Sequence, residues 1–316
     1  MKYLALLALC GTAWAADPQQ LEISNANIHA KLYVPDAKTG YYQATRFDWA
    51  GSIASLDWKG RNYFGKWFDR YDPKIHDAIT GPVEEFSELG YAEAAVGETF
   101  LKIGVGALRK PAEQAYDKFK TYEIANPGQW IVIAARDHID FEHFVTDTNG
   151  YAYEYRKTVL LTPNGFVLDH SLRNTGRKVI DTSVYEHNFY MLDGQPSGPN
   201  ISVKLEFAPK AVANLRGLAE TKGYQIAFLK ELVPGETVLT NIEGFSGAIS
   251  DYDIRVENRA TGTAVRQTSN KPISKMVFWS IRTTVCPEAY IDVRVEPGGE
   301  VTWRINYDFY TVSTKP

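Results

Sequence analysis

Cysteine is almost absent from this 316-residue chain: there are two, Cys10 and Cys286. Cys10 falls in a stretch that reads as a removable leader, which leaves Cys286 without an intramolecular partner, so stability has to come from a packed core rather than from cross-links. Several chemical motifs are missing as well. The sequence contains no Gly-rich phosphate loop, no Cys/His zinc spacing, no G-x-S-x-G elbow and no calcium loop, so neither a cofactor nor a metal is expected. "HIDFEH" gathers His138, Asp140, Glu142 and His143. On a strand the first three share one face and His143 points away, which reads as a solvated polar face. A formal net charge of −4 gives no basic field for nucleic acid or anionic lipid. Beyond the leader, no apolar run is long enough to anchor the chain in a membrane.

The first residues, "MKYLALLALCGTAWAADP", have a basic start at Lys2, an apolar stretch from Tyr3 to Leu9 and the small-x-small pattern Ala13-Trp14-Ala15. This predicts a secretory signal peptide over 1–15 and a secreted or periplasmic protein. Lipoprotein processing at Cys10 is the weaker reading, because Leu9 is bulky where a small residue is expected. Residues 16–316 contain no Pro/Ser-rich linker, low-complexity tract or short repeat and are expected to form one domain.

What the sequence has in quantity is aromatic residues, 19 Tyr, 15 Phe and 7 Trp, and alternating patterns. In "YIDVRVEPGGEVTWRINYDFYTV", apolar and polar residues alternate on both sides of Pro297-Gly298-Gly299-Glu300, which predicts an antiparallel hairpin with one buried face. "YRKTVLLTPNGFVLDHSLRNTGRKVIDTSVYEHNFYML" repeats the pattern around turns at Pro163-Asn164-Gly165 and Asn174-Thr175-Gly176. "LEISNANIHAKLYVP", "YYQATRFDWAGSIASLDWKG" and "WIVIAARDHIDFEHFVTD" are also strand-like, and Ala112 to Lys120 is the one plausible helix. Strands from end to end predict an all-β protein, a large antiparallel sandwich of two stacked sheets.

Three stretches carry candidate chemistry. In "SVYEHNFYML", strand alternation puts Tyr185, His187, Phe189 and Met191 on one side and Glu186, Asn188 and Tyr190 on the other. An imidazole among aromatics is either a satisfied core residue or a proton carrier in a cleft. "KIHDAITGPVEEFSELGY" places His76 and Asp77 before a Gly81-Pro82 turn and Glu84-Glu85 after it; adjacent residues cannot face one point, so at most one glutamate serves a site. In "YQATRFDWAG", Arg46 and Asp48 share a strand face, either as a surface ion pair or with Arg46 as a donor to sugar hydroxyls. Trp58, Trp67 and Phe68 nearby offer a stacking surface or core.

"YDIRVENRATGTAVRQTSNKPISKMVFWSI" followed by "PEAYIDVRVEPGGEVTWRINYDFY" resembles the C-terminal part of galactose mutarotase-like (aldose 1-epimerase-like) proteins, and "VYEHNFYML" resembles that family's central strand. The resemblance spans roughly Tyr41 to Tyr310. It implies a large antiparallel β-supersandwich with a carbohydrate cleft. It also implies that His187 is the acid toward the ring oxygen of a pyranose, while a glutamate takes the anomeric hydroxyl proton. The family's glutamate sits in an E-x-x-x-x-P-like string; here "SIRTTVCPEAY" has Arg282 five residues before Pro287. Glu288 or Glu85 is then the expected carboxylate. His76 is the loose counterpart of a second sugar-contacting histidine. Arg46 and Arg282 are expected as hydroxyl or carboxylate donors, and Trp279 and Tyr190 as stacking residues. The expected ligand is a monomeric or oligomeric carbohydrate. The expected activity is cofactor-free interconversion of aldose anomers, with a polysaccharide lyase of the same fold and a non-catalytic sugar-binding protein as rivals.

Overall fold

The computed structural model describes residues 17–314, so the expected leader and Cys10 lie outside the described residues. Every strand pairing among the described residues is antiparallel. A ten-stranded sheet has as its middle strands Asp253–Asn258, Thr263–Ser269, Glu300–Thr311, Gly165–Asn174 and Tyr151–Thr162, in that spatial order. A six-stranded sheet runs Lys210–Ala211, Thr237–Glu243, Lys275–Ile281, Thr284–Val295, Ile180–His187, Val83–Phe86. Four-stranded and three-stranded sheets complete the molecule. The large antiparallel sandwich read from the alternation is the observed architecture.

Two of the expected hairpins are not hairpins. Thr284–Val295 belongs to the six-stranded sheet and Glu300–Thr311 to the ten-stranded one, so the Pro297-Gly298-Gly299 turn carries the chain from one sheet to the other. The Asn174-Thr175-Gly176 turn does the same between Gly165–Asn174 and Ile180–His187. Period two identifies the buried face of each strand but not its neighbour, and a sheet-to-sheet crossing satisfies it as well as a hairpin does. Pro163-Asn164-Gly165 does close a true hairpin.

Ala112 to Lys120 is not helical. Nine residues make a marginal helix, and here the Asp117 side chain accepts from the Phe119 N–H in a turn, while Tyr116 packs with Tyr91, Phe100 and Tyr122. Residues 41–52 are irregular rather than a strand. Arg46 and Asp48 do not form the surface ion pair that was one of their two readings: both are buried and point to different partners.

The core between the two large sheets follows from the alternation. Ile180, Val184, Ala289, Ile291, Val293, Val295, Met276 and Phe278 of one sheet share it with Leu168, Leu172, Trp303, Ile305, Tyr307 and Phe309 of the other; burying each large apolar side chain contributes about 1.5–3 kcal/mol. This core also contains charge. Glu84 and Glu186 are cross-strand partners on the inner face. Opposite them stand Lys157 and His170, partners on the ten-stranded sheet. The Lys157 ammonium bonds the Glu84 carboxylate, donates to the Ala50 carbonyl at 2.8 Å and lies 3.6 Å from the Asp48 carboxylate, while His170 Nε2 is 2.6 Å from Glu84. Burial would raise the Glu84 carboxyl, but Lys157 and His170 outweigh it and hold Glu84 ionised; burial and the Glu84 charge push Glu186 up instead. Removing one partner of a buried pair leaves a charge uncompensated, so Lys157→Met should cost about 3–5 kcal/mol of unfolding free energy. Urea denaturation measures this, and a loss below about 1 kcal/mol would mean that the pair behaves like an exposed one.

Candidate functional site

The register of the six-stranded sheet assembles the site. Val83 pairs with His187 and Glu85 with Tyr185, Tyr185 pairs with Tyr290, and on the next strands Lys275 pairs with Tyr290, Val277 with Glu288, Leu239 with Trp279 and Asn241 with Val277. Because partners share a face, Glu85, Tyr185, His187, Glu288, Tyr290, Lys275, Trp279 and Asn241 all lie on the outer face, opposite the inter-sheet core. Irregular segments carrying Arg46, Trp67, His76, Asp77, Lys118 and Phe119 rise over this floor and enclose a cavity of about 580 Å³. Gly81 lets that wall approach: a Cβ there would sit 2.0 Å from the Asn188 carbonyl oxygen.

His187 borders the cavity but is only 4 % exposed. The strand ends at His187, and Phe189 turns back at φ +46°, which lays its ring on the imidazole at 3.7 Å. Trp67 stacks on the far side of Phe189 at 4.6 Å, while Phe47 and Trp279 meet the imidazole edge-on at 5.4 and 5.5 Å. Its Nε2 lies 3.3 Å from Glu288 Oε1, and Nδ1 has no partner among the described residues. Burial, with the Arg46 and Lys118 charges, pushes His187 well below its ordinary range, so the ring is neutral. Burial pushes Glu288 the other way, up to about 8, against the opposing pull of Arg46 and Lys118. A neutral imidazole beside a protonated carboxyl is thus the resting state of the pair near neutral pH.

Glu85 is in the opposite state. Its carboxylate accepts from Arg46 Nε at 2.7 Å and from the Tyr185 hydroxyl, with Lys118 at 3.5 Å. Burial alone would raise it, yet Arg46, Lys102 and Lys118 bring it down to about 2. The Arg46 guanidinium lies 4.4 Å from the Phe47 ring and 5.1 Å from that of Phe119. Phe119, 55 % exposed, also meets His76 edge-on at 5.2 Å. His76 is half-buried at the rim beside Asp77.

The structure therefore brings His187, Glu288, Arg46, His76 and Trp279 to one cavity, with Glu85 beside it through Arg46. Two expected members are elsewhere. Tyr190 is sealed in the inter-sheet core, its hydroxyl 3.4 Å from Gln267, because strand alternation places it with Glu186 and Asn188 on the face opposite His187. Arg282 lies at the Ile281–Thr284 turn, exposed and 3.5 Å from Glu231, away from the cavity. Trp58 is in the inter-sheet core, whereas Trp67 reaches the site. Cys286 is fully buried and burial raises its thiol. Lys118, Phe119, Asn241, Lys275 and Tyr290 line the cavity without having been singled out. Lys118 and Phe119 were hidden inside the expected helix; Tyr290 and Lys275 follow from Glu288 once the register is known.

No protein-family profile matches the chain, and no curated protein is similar to it in sequence. Solved structures are similar to it over nearly their whole length. The Slr1438 protein from Synechocystis sp. PCC 6803 superposes with a TM-score of 0.59 at 12 % identity, covering 99 % of this chain and 100 % of the other. A GalM/aldose epimerase homologue from C. elegans gives 0.59 at 13 %, covering 94 % and 100 %. A galactose mutarotase-like protein from Clostridium acetobutylicum gives 0.57 at 13 %, covering 94 % and 99 %. The fold is galactose mutarotase-like.

Within this galactose mutarotase-like fold, the carboxyl beside His187 comes from Glu288, after Pro287 rather than five residues before it. Its elevated affinity for a proton has a thermodynamic consequence. Between about pH 4.5 and 8 the folded protein keeps a proton on Glu288 that the unfolded chain releases, so this group's contribution to stability is full below that window and is lost as pH rises through it. Glu288→Gln should lose less stability than the wild type between roughly pH 5 and 9, as read by urea denaturation at the two values. Equal losses would show an ordinary, solvated carboxyl.

Proposed function

We propose that the protein is an exported carbohydrate-binding protein that interconverts sugar anomers by acid–base catalysis at His187 and Glu288. The observation that carries this reading is the 3.3 Å separation of His187 Nε2 and Glu288 Oε1 at the wall of the cavity. The anomeric carbon of a pyranose bears two oxygens, the hydroxyl and the ring oxygen. Two adjacent groups that share one proton suit a reaction that moves one proton off the first oxygen and one onto the second.

In the resting state argued above, Glu288 is the donor and His187 the acceptor, the reverse of the roles implied by the resemblance. Imidazole takes the hydroxyl proton, the hydroxyl oxygen becomes a carbonyl, the C1–O5 bond breaks, and the ring oxygen receives the Glu288 proton. Rotation about C1–C2 and the reverse transfers close the other anomer and restore both groups. Phe189 holds the imidazole plane; Arg46, fixed by Glu85, and His76 supply donors to sugar hydroxyls. Phe119 and Trp279 offer faces to the ring.

Polarimetry of freshly dissolved α-aldoses tests this reading. The wild type should accelerate mutarotation above the buffer rate. His187→Ala and Glu288→Gln should each lose roughly 10²–10⁴-fold, with sugar binding retained in calorimetry, and the rate should decline above about pH 8 as Glu288 ionises. Arg282→Ala should leave the rate unchanged. A wild type no faster than buffer on any common aldose removes the catalytic reading.

A further inference from the structure

The cavity does not end at Glu288. A second hollow of about 400 Å³ continues along the same sheet face, bordered by Tyr185, Tyr290, Lys102, Lys118 and Lys275. Lys118, Lys275 and Tyr290 border both hollows, so the two are compartments of one groove. Each is of a size that holds small ligands, which occupy sites of about 300–1,000 Å³.

The junction has a definite construction. Tyr185 and Tyr290 are cross-strand partners whose rings stack on each other at 4.2 Å, an aromatic pair at the junction of the two compartments. The Lys118 ammonium lies 5.7 Å from the Tyr185 ring centroid and the Lys275 ammonium 4.6 Å from that of Tyr290. Two cations thus stand over neighbouring rings. Among the described residues, the Lys275 ammonium has no carboxylate within ion-pair distance. The acid nearest Lys118, Glu85, is already bonded to Arg46 and Tyr185. Lys102, fully buried at the edge of the hollow, donates to the Phe86 carbonyl and to no other group among the described residues. Two residues farther along the strand, Ser183 and Asp292 face each other, and the Ser183 hydroxyl lies 2.9 Å from that of Ser87. Glu88 and Asp292 are the other acids of this compartment.

We propose that the second compartment binds an acidic sugar residue, so that the ligand is an anionic oligosaccharide whose neighbouring ring reaches His187 and Glu288. The acidic ring packs against the Tyr185–Tyr290 pair. Its carboxylate or ester anion sits between the Lys118 and Lys275 ammoniums as a charge-assisted acceptor, and its hydroxyls meet Ser87, Ser183 and Asp292. This assignment rests on the carbohydrate reading of the first cavity and adds the charge and length of its ligand.

Calorimetry with four saccharides tests it: digalacturonate, lactose as the neutral disaccharide, and galacturonate and galactose 6-phosphate as single acidic rings. Digalacturonate should bind at least tenfold more tightly than the other three, and added salt should weaken it. Lys275→Gln should abolish the preference and Lys275→Arg should restore it; Lys275 is exposed, so neither variant threatens folding. Equal binding of lactose and digalacturonate overturns the inference, as does a preference that survives Lys275→Gln. Single acidic rings that match digalacturonate overturn it too, because they place the anion in the first compartment. Tight digalacturonate binding without mutarotation would remove the catalytic proposal and leave this one standing. Mutarotation without acidic preference would do the reverse, and a protein that binds none of the four loses both.

Discussion

The apolar alternation of Ile180–His187, packed between the two large sheets, fixes everything built on the outer face. Glu84 and Glu85 are neighbours in sequence, as are Glu186 and His187, and in each pair one side chain enters the core and the other the site. A slip of one residue would exchange them, placing Glu85 and His187 against Lys157 and sending Glu84 and Glu186 outward. The apolar residues of Val83–Phe86 are too few to forbid this by themselves. The longer partner strand does forbid it: a slip would turn Ile180 and Val184, with Phe86, out of the inter-sheet core, whereas Lys157 would still meet a carboxylate, that of Glu85. The ion pair thus occupies a register that apolar alternation sets.

With the register locked, the two carboxyls on the outer face take opposite states. Glu85 is surrounded by Arg46, Lys118 and the Tyr185 hydroxyl and stays ionised; Glu288 has the neutral His187 for its neighbour and keeps its proton. Burial acts on both in the same sense, so the difference comes from which partners the irregular segments deliver. Arg46 lies in 41–52 and Lys118 in 112–120, the segments where local pattern would have produced a strand and a helix. Those segments gave up regular hydrogen bonding to carry tertiary contacts, and they are what distinguish an acid held ready from one held inert.

This division explains what could be read from the sequence. The sheet architecture and the face assigned to Tyr185 and His187 follow from period two over long strands, where burial and alternation reinforce each other. The same pattern could not tell a hairpin from a crossing at Pro297-Gly298-Gly299, since both ends bury one face in the same core. Tyr190 follows the alternation into the core beside Glu186 and Asn188; the resemblance, not the pattern, had put it in the site. Arg282 was placed in the site by matching a string, whereas the carboxyl that faces His187 belongs to Glu288, two residues before Tyr290 on a strand whose register had yet to be known. Lys118 and Phe119 had no readable signal, because their positions depend on where Tyr116 and Asp117 anchor the loop.

Register position is therefore a better carrier of chemistry in this fold than local sequence. The three solved structures named above share only 12–13 % of residues with the chain, as expected when the requirement is an apolar residue at every second position rather than any particular one. Such a scaffold leaves its outer face free to change, and a fold of this kind does not by itself dictate an activity. What constrains the outer face here is adjacency: a histidine at the end of one strand and a carboxyl on the next can be supplied from either side of Pro287, provided the side chain arrives within hydrogen-bonding reach of the imidazole. The E-x-x-x-x-P string is absent, yet an acid stands 3.3 Å from His187, and a reader of motifs alone would have concluded that the pair was broken.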